Sequence, residues 1–346
     1  MSIPFFNPIL IPLIIAMFLA MTMGGSGTGP SFSAAYGANV IRKSLIPGLF
    51  GIMVFLGAIV AGEGTASTVG KELLDPGYMS IIVVSIILFS VAVSLLVANL
   101  AGIPQSTSQS TVLSVSAVAL FYKNFNAEKL LVEIIPTWFI LPVISFFLSF
   151  LIGKYIYKPM RKKGLTMARA QSENMKPVWD AFLVLASLYV AFSIGANNVA
   201  NAAGPIASMT ANELSISIEE SFVIIMILAT LIIAPCFGIG SSVFGYKIVK
   251  NTGKEIVLFG KFEAVIIAFV SASLLLLASL TKGIPTSLVQ LNVAAILGIG
   301  VAKLGRKNIF QKTQVKRFFV MWLIAPTIAF ILTLTLIITA SFFGFL

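Results

Sequence analysis

Long apolar runs dominate this chain and restrict the folds that are open to it. An α-helix needs about 20 apolar residues to cross a bilayer, whereas a barrel strand needs about 10 that alternate with polar ones. Only 10% of the residues are charged, so the chain could not cover a water-facing surface. The sequence predicts an all-α integral membrane protein of the cell membrane. Its apolar runs lie at roughly 8–23, 45–61, 79–100, 104–122, 130–152, 177–194, 217–237, 262–281, 285–302 and 318–342.

Missing residue types disfavour several functions. The chain has no histidine, which removes the commonest metal ligand and the usual general base. Its one cysteine, Cys236, cannot form an internal disulfide. We therefore expect no metal site, no cofactor and no catalytic residue.

The basic residues cluster in alternate turns between the apolar runs. If the N-terminus lies outside, all but four of the 23 lysines and arginines fall in cytoplasmic segments. Cytoplasmic loops of membrane proteins carry such an excess, so we expect both termini outside the cell. The net charge of +11 then reflects topology and attraction to anionic lipids. We expect the lipid bilayer, and not nucleic acid, as a partner.

Short motifs from the first half of the chain recur in the second half in the same order. The offsets between the copies are similar, which favours a genuine internal repeat. The matches are 23–26 with 194–197 at an offset of 171 residues, 70–73 with 253–256 at 183, Gly77 with Gly260 at 183, and 102–104 with 283–285 at 181.

Each half contains five apolar runs. Because five is odd, the second copy is expected to lie upside down in the membrane. We predict a first inverted repeat over 1–153, a basic cytoplasmic linker over 154–176 and a second inverted repeat over 177–346. Two inverted-topology repeats of about five transmembrane helices each are typical of secondary transporters.

Polar, glycine-rich stretches interrupt the first and sixth apolar runs, at 24–33 and 195–204. Irregular backbone at membrane depth is tolerated only where protein or a water-filled cavity shelters it. We expect broken helices or re-entrant segments there, at the interface of the repeats. Tight glycine packing is the alternative for the first stretch, and hydrogen bonding between helices is the alternative for the second.

Two other interpretations of residues 24–31 are disfavoured. A phosphate-binding loop needs a lysine where Pro30 stands. A membrane-embedded enzyme with Ser26 as its nucleophile lacks the histidine base that such proteases use. A passive anion channel is a further alternative, but no pore motif supports it.

Residues 195–205, Gly-Ala-Asn-Asn-Val-Ala-Asn-Ala-Ala-Gly-Pro, resemble the signature of the inorganic phosphate transporter family, which includes sulfate permeases. That signature reads Gly-Ala-Asn-Asp-Val-Ala-Asn-Ala in both halves. Asn198 here replaces its aspartate, and residues 24–31 have lost the asparagines and carry Gly27 in place of the acid. Residues 102–109 are similar to a second family element, Gly-Leu-Pro-x-Ser-Thr-Thr-His, which has a weaker partner at 283–290. The resemblance implies an inverted-repeat transporter whose motifs meet near mid-membrane.

Hydroxyl residues follow Pro104 and Pro285, which suit the first turn of a helix. A helix start offers free backbone donors and a positive dipole end, so two such starts can hold an anion without a buried cation. Simple helix capping is the alternative. The predicted substrate-binding residues are Asn197, Asn198, Asn201, Ser26, Gly27, Thr28, Ser106, Thr107, Ser108, Thr286 and Ser287.

The missing motif carboxylates favour sulfate over phosphate as the substrate. Phosphate near neutral pH carries a hydrogen that a carboxylate accepts, whereas sulfate needs only donors. We predict a secondary active sulfate importer that is coupled to protons and works by alternating access. Sodium-coupled phosphate symport on the same fold is the alternative, and related tetrahedral oxyanions and a homodimer remain open.

Proton coupling requires a titratable group, and charged residues within the membrane are costly to keep. Glu63 and Glu263 are the predicted proton carriers, followed by Asp180 and the Glu219–Glu220 pair. All of them lie toward the ends of apolar runs, where simple solvation at the membrane interface is the alternative.

Overall fold

The computed structural model describes residues 7–100, 105–162, 176–252 and 260–346, and the regular structure in these ranges is helical. Short π-helical turns occur over Thr68–Glu72, Glu128–Ile134 and Gly153–Tyr157. The helices are α1 (Leu10–Gly37), α2 (Ile46–Ala61), α3 (Glu63–Ser67), α4 (Ile81–Leu100), α5 (Thr107–Phe121), α6 (Ile135–Ile152), α7 (Lys158–Lys162), α8 (Lys176–Asn198), α9 (Ala200–Glu213), α10 (Ile218–Thr252), α11 (Lys261–Lys282), α12 (Leu288–Leu304), α13 (Arg306–Phe310) and α14 (Thr313–Phe342).

Eight helical segments in the described ranges are long and apolar enough to cross a membrane. The helices α5 and α12 are shorter, at 15 and 17 residues, and most of their residues are buried. The protein is therefore an all-α integral membrane protein. The eight segments are Leu10–Gly37, Lys43–Ala61, Ile81–Leu100, Glu128–Met160, Pro177–Glu213, Ile218–Gly245, Lys261–Lys282 and Val315–Phe342.

The helices α4 and α5 form a hairpin on either side of residues 101–104, which lie outside the described residues. The stacked rings of Tyr78 and Tyr122, with centroids 4.5 Å apart, bring the start of α4 and the end of α5 together at one face. Near the other end of α4, Asn99 Nδ2 donates to the carbonyl oxygen of Thr22 (2.8 Å), close to the centre of α1. Asn99 therefore ties the end of α4 to α1; α4 is long enough for the predicted span 79–100, whereas α5, at 15 residues, is shorter than a straight crossing requires.

The helices α11 and α12 form a second hairpin. Gly283, at φ +60°, ends α11, and an extended segment leads to the start of α12. Asn197 lies near the middle of the segment Pro177–Glu213; it accepts a hydrogen bond from Thr286 N and donates to the carbonyl oxygen of Ile284, both at 3.1 Å. Asn197 therefore ties this turn to α8; α11 is long enough for the predicted span 262–281, whereas α12, at 17 residues, is shorter than a straight crossing requires.

The first polar stretch is not unwound, because α1 continues through it to Gly37. The hydroxyls of Ser26, Thr28 and Ser31 donate to carbonyl oxygens three or four residues earlier, at 3.0, 2.6 and 2.9 Å. A Cβ at Gly24 would overlap the carbonyl oxygen of Phe237 in α10. The glycine run is therefore a helix-packing contact, and the expected broken helix at 24–33 is corrected.

The second polar stretch contains only a small interruption. The helices α8 and α9 are separated by Val199 alone, whose φ of −60° and ψ of −35° are helical. Pro205 lacks an N–H, so one hydrogen bond of the helix is missing in this region. The expected break over 195–204 is therefore reduced to one residue.

Reciprocal glycine contacts join α1 to α10 and α2 to α8. The α8 residues follow their α1 counterparts by 171 positions, and the α10 residues follow their α2 counterparts by 183, which are offsets of the predicted repeat. The contacts are Gly24 with the carbonyl of Phe237 and Gly240 with that of Met21, and Gly195 with the carbonyl of Val54 and Gly57 with that of Phe192.

The predicted linker 154–176 begins inside a helix, because the apolar segment Glu128–Met160 runs past residue 153 and α7 overlaps its end. Residues 163–175 lie outside the described residues. The repeat motif at 253–256 and the predicted helix-start residue Pro104 also lie outside them.

Candidate functional site

A small cavity lies where the two hairpin turns meet α1 and α8. Each of the described residues that line it is uncharged. The space has room for about one water molecule, so a tetrahedral oxyanion requires a wider arrangement. The lining residues are Ser26, Gly27, Pro30, Gln105, Ser106, Thr107, Ser108, Ile194, Asn198, Thr286, Ser287, Leu288 and Val289.

Two helices begin at this cavity. Ser106 Oγ accepts a hydrogen bond from Gln109 N (3.2 Å) and caps α5, and Ser287 Oγ accepts one from Gln290 N (3.3 Å) and caps α12. Capping satisfies only one of the N–H groups that a helix start leaves open. The first two amides of each helix therefore remain as donors beside the cavity, and two positive dipole ends face it. These amides belong to Thr107, Ser108, Leu288 and Val289.

Pro285 does not lie in the first turn of a helix, where the sequence placed it. It precedes the capping residue Ser287 by two positions, in extended backbone. The capping alternative is therefore confirmed for Ser106 and Ser287.

Three polar atoms on lining residues have no hydrogen-bonding partner among the described residues. They are Gln105 Oε1, Thr107 Oγ1 and Asn198 Oδ1. A buried polar atom without a partner costs about 1–3 kcal/mol. A bound ligand or water molecule that pairs with these groups would recover part of that cost.

Asn197 holds the two hairpin turns against α8. Its Oδ1 accepts hydrogen bonds from Ser108 Oγ and Thr286 N, both at 3.1 Å. Its Nδ2 donates to Ser279 Oγ (2.8 Å) and to the carbonyl oxygen of Ile284 (3.1 Å). The side chain is fully buried and its hydrogen-bonding capacity is used. Asn197 therefore positions the cavity wall instead of facing the cavity.

The remaining predicted residues divide between the cavity and its surroundings. Asn201 lies beside the cavity, where its Nδ2 donates to Ser108 Oγ (3.3 Å) and its Oδ1 has no partner among the described residues. Thr28 turns away from the cavity toward α10 and packs against Gly245. The structure therefore does not place Thr28 at the site.

Neither predicted proton carrier lines the cavity. Glu263 is buried; its carboxylate accepts a hydrogen bond from Gly260 N (2.7 Å), which caps α11, and pairs with Lys303 Nζ (3.1 Å). Glu63 is exposed and forms no hydrogen bond or ion pair with another described residue. Asp180 is paired with Lys261.

The other carboxylates that the sequence singled out, Glu219 and Glu220, are exposed in the first turn of α10.

The sequence analysis did not assign Gln109 and Gln290, which connect the two helix starts. Gln109 Nε2 donates to Gln290 Oε1 (3.1 Å), and Gln290 Nε2 donates to Gln109 Oε1 (2.9 Å). The two residues are 181 positions apart, the offset of the Gly-Ile-Pro motif. That equivalence was the signal that could have identified the pair.

A wider vestibule of about 350 Å³ leads from the cavity toward one face. Pro30 lines both spaces, so they adjoin at α1. The vestibule extends to Gly37 at the end of α1 and Gly260 at the start of α11. The distribution of basic residues predicts that these helix ends lie on the cytoplasmic side.

Comparison with known proteins agrees with this architecture. A model described as the phosphate transporter family matches residues 23–333. The sulfate permease CysP of Bacillus subtilis (strain 168) is 30% identical, covering 91% of this chain and 83% of that protein. A putative phosphate permease of Pyrococcus horikoshii is 25% identical, covering 93% and 95%. A solved structure, the sodium-dependent phosphate transporter, shares the fold with a TM-score of 0.79 at 22% identity, covering 97% of this chain and 100% of that one. This chain belongs to the phosphate transporter family.

Proposed function

We propose that this protein imports sulfate across the cell membrane as a secondary active transporter. The observation that carries the proposal is the composition of the cavity, where helix starts, hydroxyls and amides meet without a carboxylate among the described lining residues. Sulfate has no hydrogen to donate, so a site that contains only hydrogen-bond donors can satisfy it. The 30% identity with a protein named a sulfate permease supports the same substrate.

Two inverted repeats would provide the alternating access. The vestibule on the predicted cytoplasmic side corresponds to a state that is open inward. On the other side, Lys129 Nζ pairs with Glu72 (2.8 Å) and Glu133 (3.0 Å) and reaches the carbonyl oxygen of Lys282 (3.5 Å). This contact ties the second hairpin to neighbouring helices and would have to open when the anion enters from outside. The cavity would widen at the same time.

We propose protons as the coupling ion. No described residue that lines the cavity is titratable near neutral pH, so the proton carrier must lie elsewhere. The carboxylate of Glu63 is exposed and pairs with no other described residue, whereas Glu263 would first have to leave Gly260 and Lys303. Glu63 is therefore the stronger of the two candidates.

Sodium-coupled phosphate uptake is the second candidate. Gln105, Asn198 and Asn201 each carry a buried oxygen without a partner among the described residues. Such oxygens could accept the hydrogen of hydrogen phosphate or contact a sodium ion, as carbonyl groups do in other transporters.

Uptake of labelled anions into proteoliposomes separates the two candidates. We expect sulfate to accumulate under an inward proton gradient without sodium, and phosphate not to compete. A protonophore should abolish accumulation, and protein-free liposomes serve as the control. Accumulation of phosphate under a sodium gradient, without competition from sulfate, would refute the proposal. Flux that only equilibrates sulfate would indicate a channel. Thiosulfate and molybdate as competitors define the range of oxyanions.

A further inference from the structure

The vestibule carries very little charge for a space that opens from a candidate anion site. Of the described residues that line it, only Lys261 is charged. Lys261 is the first residue of α11 and forms an ion pair with Asp180 of α8, with the two side chains 21% and 27% exposed. The cation at the mouth is therefore neutralised by a carboxylate that is itself partly open to solvent.

Asn292 is a second polar feature of the same space. It lies on α12, three residues after Val289 of the cavity, and it lines the vestibule. The side chain is only 5% exposed and forms no hydrogen bond with another described residue. Because Asn292 lines the vestibule and its amide is not used by another described residue, its polar atoms are available to a ligand that passes along this space.

We propose that Asn292 is a release-side contact for the transported oxyanion, and that the Lys261–Asp180 pair sets the electrostatic potential at the vestibule mouth. This inference rests on the proposed transport of an oxyanion. An unpaired lysine there would attract a dianion and retain it, because the local field concentrates anions. Asp180 offsets that field, so the anion can leave.

A charged thiol reagent can measure this potential directly, without transport. Ala34 is exposed and lines the vestibule, so Ala34→Cys in a Cys236→Ala background provides the reporter. The measurement is the ratio of modification rates by anionic and cationic methanethiosulfonates. We expect Asp180→Asn to raise this ratio at least about threefold, Lys261→Gln to lower it, and the double variant to return near the parent. Glu219→Gln, an exposed acid outside the vestibule, is the matched control.

Protection by inorganic sulfate tests the role of Asn292. In the Asp180→Asn background, millimolar sulfate should slow modification of the Ala34→Cys thiol, and chloride at equal ionic strength should not. Adding Asn292→Leu should remove the protection, whereas Asn308→Leu, at an exposed position, should leave it. Circular dichroism and gel filtration confirm that each variant is folded.

The possible failures are distinguishable. An unchanged rate ratio in folded Asp180→Asn, or a thiol that neither reagent modifies, would overturn the vestibule proposal alone. Unchanged protection in Asn292→Leu would overturn the role of Asn292. Absence of anion uptake by the wild-type protein would instead refute the proposed function, and the potential at the mouth would stand as measured.

Discussion

Gln109 and Gln290 face each other where the two hairpin turns meet, and they exchange two hydrogen bonds of 3.1 and 2.9 Å. Each follows the capping serine of its helix by three residues and donates its backbone N–H to that serine. Two amides can pair in this way because each carries a donor and an acceptor. The predicted repeat relates Gln109 to Gln290, so exchanging the two halves leaves this contact unchanged. The contact therefore marks the position of the expected pseudo-twofold axis.

We expect Gln109→Glu to make stability depend on pH. A carboxylate cannot donate to Gln290 Oε1, whereas the protonated acid can, and burial also favours the uncharged acid. The folded state then binds the proton more tightly than the unfolded chain, so the melting temperature should fall as the pH rises from about 5 to 8. Thermal melting in detergent measures the effect. Gln311→Glu at an exposed site is the control, and matching pH profiles for both variants would contradict the pairing.

Thr107→Val should reduce uptake without a comparable loss of stability. The Thr107 hydroxyl lines the cavity and has no partner among the described residues, so its removal breaks no internal hydrogen bond. We expect about a three- to tenfold decrease in the initial rate of sulfate uptake. Thr111→Val, one helical turn later, is the matched control, because that hydroxyl only donates to the carbonyl oxygen of Thr107 (3.1 Å). Equal uptake by both variants would argue against anion contact at Thr107.

Asn198→Asp should shift the preference from sulfate toward phosphate. A carboxylate at the cavity can accept the hydrogen of hydrogen phosphate, but it repels a fully deprotonated dianion. We expect the ratio of sulfate to phosphate uptake to fall at least about tenfold. Asn198→Ala removes the amide without adding charge and should leave the ratio nearly unchanged. If both variants show the same ratio, charge at this position does not select the anion.

Gly24→Ala should destabilise the protein because its Cβ would overlap the carbonyl oxygen of Phe237. Overpacking of this kind costs about 1–3 kcal/mol, and backbone cannot move aside as a side chain can. Gly195→Ala should behave alike, since its Cβ would overlap the carbonyl oxygen of Val54. Gly48→Ala, where nothing lies within 4 Å, is the control. Indistinguishable melting temperatures for the three variants would rule out the close approach.

The sequence was informative about which polar residues gather in the membrane. Ser106, Thr107, Asn198 and Ser287 were predicted from hydroxyl and amide patterns, and all of them line one cavity. The role of Asn197 could not be predicted, because its four hydrogen bonds reach residues whose positions depend on how both hairpins fold. Residue type indicated polarity, and tertiary structure decided orientation.

Chain geometry was predicted less well. Glycine and proline in residues 24–31 are compatible with unwinding and with close helix packing alike, and only the position of Phe237 distinguishes them. The helices α5 and α12 have the apolar character of spans but are shorter than a straight crossing requires. Their packing depends on Asn99, which ties α4 to α1, and on Asn197, which ties the second hairpin to α8; both contacts join residues far apart in the chain.

The glycine contacts between α1 and α10, and between α2 and α8, leave no side chain at the crossing that could change rotamer. Each of these two helix pairs is therefore expected to move as a rigid body that keeps its internal geometry while the rest of the protein changes shape. Motion would then concentrate in how the two helix pairs tilt against each other and against the hairpins. Because the predicted repeat relates one helix pair to the other, a tilt that opens the site to one side of the membrane has an equivalent tilt that opens it to the other side.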